Sequence, residues 1–393
     1  MHPIVITTKY QNDQVLSKQI TIIGPAYPLR GGLSSFNELL ASKLQKQGHQ
    51  VKIVTFSLQY PKFLFPGKSQ ISNALPPENL NIEVSLNSIN PLNWILLGRK
   101  IKNEQPDLVI FRFWMPLMGP SLGTLARMIR RNKHSKIVAI TDNIVPHEKR
   151  FGDRTLTAYF LKSCDAFLTM SKSVLNDLKL FNISIPTIFN PHPMYENFGK
   201  QIDKVKAKEK LGLDTKTNYV LFFGFIRKYK GLDTLLEAFS DHRLRDKNLK
   251  LVIAGEYYDT PQIYLKIIDD LGLKDYVILA NHYIEDSEVS LYFSAADMVA
   301  QTYKTATQSG VTQIAYFYNR PMLVTDVGGL SELVPHQKVG YVTSQDKKEI
   351  SDCIFDFYEN NRNSEFSENI KSERNKYTWE SFIDNLFNVS GFG

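Results

Sequence analysis

The sequence predicts an α/β protein of two domains, each a parallel sheet covered by helices on both faces. Three observations carry this expectation. Short apolar runs alternate with amphipathic helical stretches along most of the chain, the pattern of strands joined by crossover helices. The alternation comes in two series, separated around Pro191-His192-Pro193. And 393 residues are more than one core usually organises, so two domains are expected. The boundary falls in 191–199, dividing a first domain of 1–193 from a second beginning at 194.

The first series opens with an apolar strand over 19–25 that ends in a Gly-Pro turn. The loop Tyr27-Pro28-Leu29-Arg30-Gly31-Gly32 leads into a helix. Ser35 and Glu38 have the spacing of a capping box for that helix, and Phe36, Leu39, Leu40 and Leu44 form its inner face. A strand at 51–56 completes a βαβ unit. The rhythm breaks over 57–90, where the stretch 60–68 mixes aromatics, prolines and lysines. Strands resume at 108–111, 137–141, 166–170 and 187–189. The second series has strands at 219–223, 249–254, 277–279, 298–300 and 321–325, with helices between them. The helices after Asp346 are polar outside and aromatic inside.

Composition narrows the class. A hydrophobic content of 43% is that of an ordinary globular protein. No apolar run approaches the roughly 20 residues of a membrane-spanning helix, and residues 1–19 lack the apolar core of a leader peptide. Cys164 and Cys353 stand far apart and read as reduced thiols, so a cytoplasmic protein is expected. The formal charge of +7 calls for an anionic partner, a nucleotide or an anionic membrane surface. Nucleic acid is disfavoured, because no aromatic RNA-binding motif, zinc-finger spacing or basic helix-turn-helix is present. Arg127, Arg130, Arg131, Lys133 and Lys136 crowd one helix end and the following strand. They either complement the helix dipole or face a membrane or acidic acceptor.

The chemistry concentrates at Phe222-Phe223-Gly224-Phe225-Ile226-Arg227-Lys228-Tyr229-Lys230-Gly231-Leu232-Asp233-Thr234-Leu235-Leu236. It reads as a buried strand, a glycine turn, a basic loop and a helix with Leu232, Leu235, Leu236 and Phe239 on one face. Arg227 and Lys230 then sit beyond the carboxyl end of a strand and beside a helix start, where open α/β sheets bind ligands. Helix starts favour anions, two cations add to that, and a diphosphate is the natural ligand. A solvated basic loop is the plain alternative.

Gly224, Arg227, Lys230 and Gly231 resemble the phosphate-binding turn of GT-B glycosyltransferases, in particular the retaining enzymes of family 4. Ile253-Ala254-Gly255-Glu256 resembles the next strand and loop of that family. The run 319–333, Asn319-Arg320-Pro321 through Gly328-Gly329-Leu330-Ser331-Glu332-Leu333, is similar to the strand and turn that close its donor site. Gly31-Gly32 followed by a helix and Gly48-His49-Gln50-Val51 resembles its opening unit. The resemblance spans most of the chain and implies two Rossmann-like domains facing across a cleft. The second, 194–376, would bind the nucleotide-sugar. A terminal helix at about 377–393, opened by Tyr377-Thr378-Trp379-Glu380, would cross back onto the first.

The resemblance also assigns roles. Arg227 and Lys230 would meet the charge that grows on the departing diphosphate, a planar fork and a point charge in complement. Gly31 and Gly32 would lie across the cleft from the donor phosphates, with Gly224, Gly255 and Glu256 on the donor side. The family usually carries two glutamates eight positions apart, the second binding the ribose hydroxyls. Aligned from Asn319-Arg320-Pro321 without gaps, those places hold Ala306 and Ile314, and a one-residue shift gives Thr305 and Gln313. Ser309, Gly310, Val311 and Thr312 still offer backbone N–H groups to phosphate, and Gln308 or Gln313 could serve the ribose. In the first domain the loop 141–150 should face the cleft. Asp142 or Asn143 stands about where the family has a sugar-contacting histidine, and here the histidine comes later, at His147, a catalytic candidate that with Glu148 reads as an acid/base pair or else as a hydrogen-bonded loop residue.

No HExxH, CxxC or strand-ending acidic pair occurs, so no metal site and no bound cofactor are expected beyond the nucleotide-sugar itself. The expected activity is transfer of a hexose-type sugar, with retention, to a cell-surface glycan or lipid-linked acceptor. The aromatics and lysines of 60–68, with the arginines at the helix end, would form a docking surface for anionic lipid. The rival readings are a sugar-nucleotide epimerase and a non-catalytic sugar-binding paralogue.

Overall fold

The structure is a computed structural model. It describes residues 17–61, 70–72, 75–146, 150–258, 260–307 and 309–392. His147, Gln308 and most of the 60–68 stretch lie outside them.

Seven strands form the first sheet: β1 (Gln19–Ile23), β2 (Gln50–Leu58), β3 (Asn81–Asn87), β4 (Leu108–Phe113), β5 (Lys136–Thr141), β6 (Ala166–Thr169) and β7 (Thr187–Phe189). Six form the second: β8 (Asn218–Phe223), β9 (Leu249–Ala254), β10 (Val277–Ala280), β11 (Met298–Gln301), β12 (Met322–Thr325) and β13 (Gly340–Thr343). The spatial orders are β3-β2-β1-β4-β5-β6-β7 and β10-β9-β8-β11-β12-β13. The pairings are parallel throughout. Parallel strands with helices on both faces are buried on both sides, which is why 108–111 of β4 and 219–223 of β8 read as continuous apolar runs.

Each sheet reverses its winding once, between β1 and β4 and between β8 and β11. Beyond the carboxyl ends of strands at such a reversal the loops diverge and leave a crevice. Both crevices open on one cleft.

The chain returns to the first domain at its end. The helix Trp379–Ser390 lies against β5, β6, β7 and the helix Gly32–Lys46. Trp379 is fully buried, donates its indole N–H to the Met194 carbonyl at 2.8 Å, and packs 5.0 Å from the Phe36 ring.

The structure corrects two sequence expectations. The helix after the Gly31-Gly32 loop begins at Gly32, and no side chain caps it. Ser35 instead donates to Asp286 of the second domain at 3.1 Å, and Glu38 accepts the Tyr27 N–H at 2.6 Å. Three-residue spacing also places two groups on one helical face, and here that face serves tertiary contacts. Second, β3 occupies part of the stretch read as irregular, and β13 adds a strand that the sequence reading did not contain. Of the expected lipid-docking surface, 62–68 lies outside the described residues, and only its first two residues, Tyr60 and Pro61, can be placed against the arginine turn. Tyr60 follows the carboxyl end of β2, whereas the turn Arg130–Asn132 precedes the start of β5, at the opposite end of the parallel strands. Arg127 is also turned inward, onto the Gly123 and Tyr159 carbonyls, and Arg130 pairs with Asp165 at 2.8 Å.

Candidate functional site

Two adjoining cavities occupy the cleft. The smaller, about 260 Å³, lies mainly against the second domain, and the larger, about 460 Å³, against the first. Gly31, Gly32, Tyr195, Phe225, Lys230 and Gly310 are among the residues that border both. The geometry therefore divides the cleft into two compartments that meet at Lys230.

Lys230 gets there by tight local geometry. After β8 the chain turns at Gly224 and passes through the short 3-10 turn Lys228–Lys230. It then enters the helix Leu232–Phe239 through Gly231, whose φ is 66°. A Cβ on Gly231 would stand 1.9 Å from the Thr302 carbonyl oxygen, so the turn requires glycine. Lys230 is left only 8% exposed. Burial, reinforced by the Arg227 charge, lowers its pKa to about 7. Among the described residues no carboxylate oxygen lies within ion-pair distance of it. The Arg227 guanidinium borders the larger cavity and lies over the Tyr258 ring, 4.8 Å from its centroid.

The helix Gly310–Phe317 closes the smaller cavity. The Ser309 side chain accepts the Val311 N–H at its start. Gly310, Val311 and Ile314 face the cavity. Thr312 and Gln313 face the opposite way, both 0% exposed. Thr312 donates to the Gln301 amide oxygen at 3.1 Å, and Gln313 reaches neither cavity. The expectation that Gln313 could serve a ribose is thereby corrected: helical geometry sends position 313 to the sheet when 311 and 314 face the ligand. Ile314, at one of the two expected glutamate places, gives the cavity an apolar wall.

The carboxylates of this cavity come from elsewhere. Glu256 and Gly255 line it, but the Glu256 carboxylate accepts a 2.6 Å bond from Arg30 of the first domain, both side chains nearly inaccessible. Arg30 also lies over Tyr283, 4.2 Å from its centroid. Asp286 lines the same cavity and accepts the Ser35 hydroxyl. Burial raises the Asp286 pKa, and Glu38 nearby is pushed up to about 7, by burial first.

In the larger cavity Asp142 and Asn143 line the wall together. Arg112 grips the Asp142 carboxylate with two bonds of 2.5 Å from Nε and Nη2, while its own plane covers the Phe36 ring at 3.9 Å. His192 is buried beside them, and burial together with the Arg112 charge lowers its pKa to about 3, so the ring is neutral.

Sequence reasoning missed Arg30, Arg112, Trp114, Tyr195, Tyr283 and Asp286. Arg30 adjoins the glycine pair and could have been found. Arg112 is the single charge in an apolar strand, also a usable signal. Among the described residues no group of three His, Cys, Asp or Glu side chains could hold a metal ion, and no helix is long and apolar enough to cross a membrane.

Two family models tile the chain: residues 30–194 match Glycosyltransferase Family 4, and residues 203–376 match Glycosyl transferases group 1. The chain is a family 4 glycosyltransferase of the GT-B fold. It is similar to an uncharacterized glycosyltransferase of Methanocaldococcus jannaschii, at 24% identity over 94% of this chain and 97% of that protein. It is also similar to the alpha-monoglucosyldiacylglycerol synthase of Acholeplasma laidlawii, at 23% identity over 75% of this chain and 77% of that one. Among solved structures, Anabaena HepE in complex with UDP superposes with a TM-score of 0.73 at 16% identity, covering 94% and 99% of the two chains.

Proposed function

We propose that this glycosyltransferase binds a nucleoside diphosphate-sugar with its nucleoside in the smaller cavity and transfers the sugar, with retention, to a hydroxyl in the larger one. The observation that carries the reading is Lys230. A buried cation with no carboxylate partner among the described residues, at the junction of two cavities, is costly to the fold unless an anion completes it. The diphosphate is that anion. Lys230 and Arg227 accept the charge that develops on it, assisted by backbone N–H groups at Gly32 and at the start of the helix Gly310–Phe317. The bond between the anomeric carbon and the phosphate oxygen breaks, the acceptor oxygen bonds to that carbon, and the diphosphate takes the hydroxyl proton. Tyr283 and Phe225 offer ring faces for the base, and Asp286 or Glu256 offers an acceptor for ribose hydroxyls. The UDP bound to the Anabaena structure supports a uridine diphosphate-sugar as the first donor to try.

The test is a thermal-shift panel of nucleoside diphosphates and their sugars, followed by anomeric analysis of the product by NMR. Stabilisation by at least one member, lost in Lys230→Met, is expected. No stabilisation by any member, or an inverted product, overturns the reading.

A second reading concerns location. The helix Pro91–Glu104 starts just beyond the carboxyl end of β3, on the cleft edge of its sheet, and exposes Leu92 (72%) and Leu96 (64%) one turn apart. Ile89 precedes them, exposed as well, and Arg99 continues the same face. Apolar side chains followed by a cation suit reversible docking on anionic lipid, which would bring a lipid-linked acceptor to the cleft. Sedimentation with phosphatidylglycerol vesicles should be salt-sensitive and lost in Leu92→Ser/Leu96→Ser. Equal recovery with neutral vesicles refutes it.

A further inference from the structure

The larger cavity limits the chemical class of the acceptor. Its described lining carries four cationic side chains, Arg30, Arg112, Arg227 and Lys230, and one carboxylate, Asp142. Two of the cations are already matched. Arg112 is held to Asp142 by paired bonds, and Arg30 to Glu256 across the cleft at 2.6 Å. That leaves Arg227 and Lys230, the pair assigned above to the donor diphosphate. Once the donor is bound, no cation among the described lining residues remains for an anionic acceptor. A phosphate or carboxylate group brought there would meet the diphosphate itself, with like charges close together and no unmatched cation among the described lining between them.

The rest of the described wall is mainly aromatic and amide, with Pro25, Leu33, His192 and Thr307 between. Trp114 stands directly after β4, at the winding reversal of the first sheet, and Tyr60 just after β2. The Trp114 indole N–H donates to the Tyr60 hydroxyl at 2.6 Å, and its ring meets Phe56 edge-on at 5.8 Å, so the side chain is fixed in place and only partly buried. Tyr258 lines the cavity from the second domain, while Gln59, Gln70 and Asn143 supply carbonyl acceptors and amide donors around it. Ring faces for the C–H surface of a sugar, ringed by uncharged hydrogen-bonding groups and one oriented carboxylate for hydroxyls, fit a pyranose and suit neither a lipid chain nor an anion.

We infer that the acceptor is a neutral glycosyl unit, held against Trp114 with its hydroxyls on Asp142 and the neighbouring amides. The inference rests on the donor reading above and extends it to the second substrate. The experiment is saturation-transfer NMR on the UDP-loaded protein. The probes are the methyl glycosides of glucose, galactose, mannose and N-acetylglucosamine, set against glucose 6-phosphate, glucuronate and myo-inositol 1-phosphate. At least one neutral glycoside should bind, at least 10-fold tighter than every charged probe. Trp114→Ala should weaken that binding at least 10-fold and leave UDP affinity within about 2-fold. Retained UDP binding also certifies that the variant is folded. Trp114→Phe, which keeps a ring and loses the bond to Tyr60, should fall between. A charged probe binding as tightly as the neutral ones, an unchanged affinity in Trp114→Ala, or no neutral binding while UDP binds overturns the inference and leaves the donor reading standing. Failure of UDP and every other nucleoside diphosphate to bind removes both.

Discussion

Lys230→Met should stabilise the unliganded protein while weakening its hold on the donor, and the two effects should follow pH in a defined way. An ordinary lysine titrates near 10.4 in an unfolded chain, whereas Lys230 titrates at about 7 in the fold. Between those values the unfolded chain binds one proton more than the native protein, so stability rises with pH across that window. Below pH 7 both states are charged and the full penalty of holding a buried cation is present. The difference corresponds to about 5 kcal/mol at most. Methionine keeps the approximate volume and removes the charge. Even a third of the penalty recovered would raise Tm by about 3–6 °C for a domain of this size. The gain should be largest at pH 6 and shrink steadily towards pH 9. Donor affinity runs the other way. If the diphosphate takes only the charged lysine, the competent fraction falls from about one half at pH 7 to about 1% at pH 9, a roughly 50-fold loss. Differential scanning fluorimetry of wild type and variant from pH 6 to 9, with UDP titrations by calorimetry from pH 7 to 9, checks both limbs. The variant should bind UDP about 100-fold more weakly and with no such pH slope. A variant-minus-wild-type Tm difference that is flat in pH, together with a flat UDP affinity in the wild type, would refute the buried-cation argument.

Arg227→Ala should lower turnover by ~100-fold or more with little change in the unfolding midpoint; near-normal turnover with the native donor would exclude a role in charge stabilisation. Turnover should persist in excess EDTA, because the two cations already neutralise the diphosphate; complete loss that is restored by a divalent metal would point to a metal-bound donor. Gly231→Ala should destabilise by at least ~2 kcal/mol more than Gly272→Ala in denaturant titration. The two glycines share nearly the same φ, 66° and 63°, but an added Cβ meets Thr302 at the first and nothing at the second. Equal costs would mean that the Lys228–Lys230 turn yields without strain.

What the sequence made legible was whatever is encoded within a few residues. The alternation of strand and helix foretold two parallel sheets, and the glycine turn with Arg227 and Lys230 foretold a cationic loop beyond β8. Both depend on local periodicity and turn chemistry. The walls of the cleft were not legible for the opposite reason. Arg30 meets Glu256 across 226 positions of sequence, and Ser35 meets Asp286 across 251. No local pattern announces either pair, and the three-residue spacing of Ser35 and Glu38 even imitated a helix cap. The same distinction explains Ile314. Read locally, it marks a lost carboxylate and puts donor binding in doubt. In three dimensions the cavity that Ile314 borders still holds two carboxylates, Glu256 and Asp286, from different loops. Each is tied to the first domain, Glu256 through Arg30 and Asp286 through Ser35. A nucleotide hydroxyl that engages either one therefore competes with a contact between domains. If the nucleotide proposed above uses either carboxylate for its hydroxyls, its recognition on the second domain is coupled by this geometry to the contact of that domain with the first.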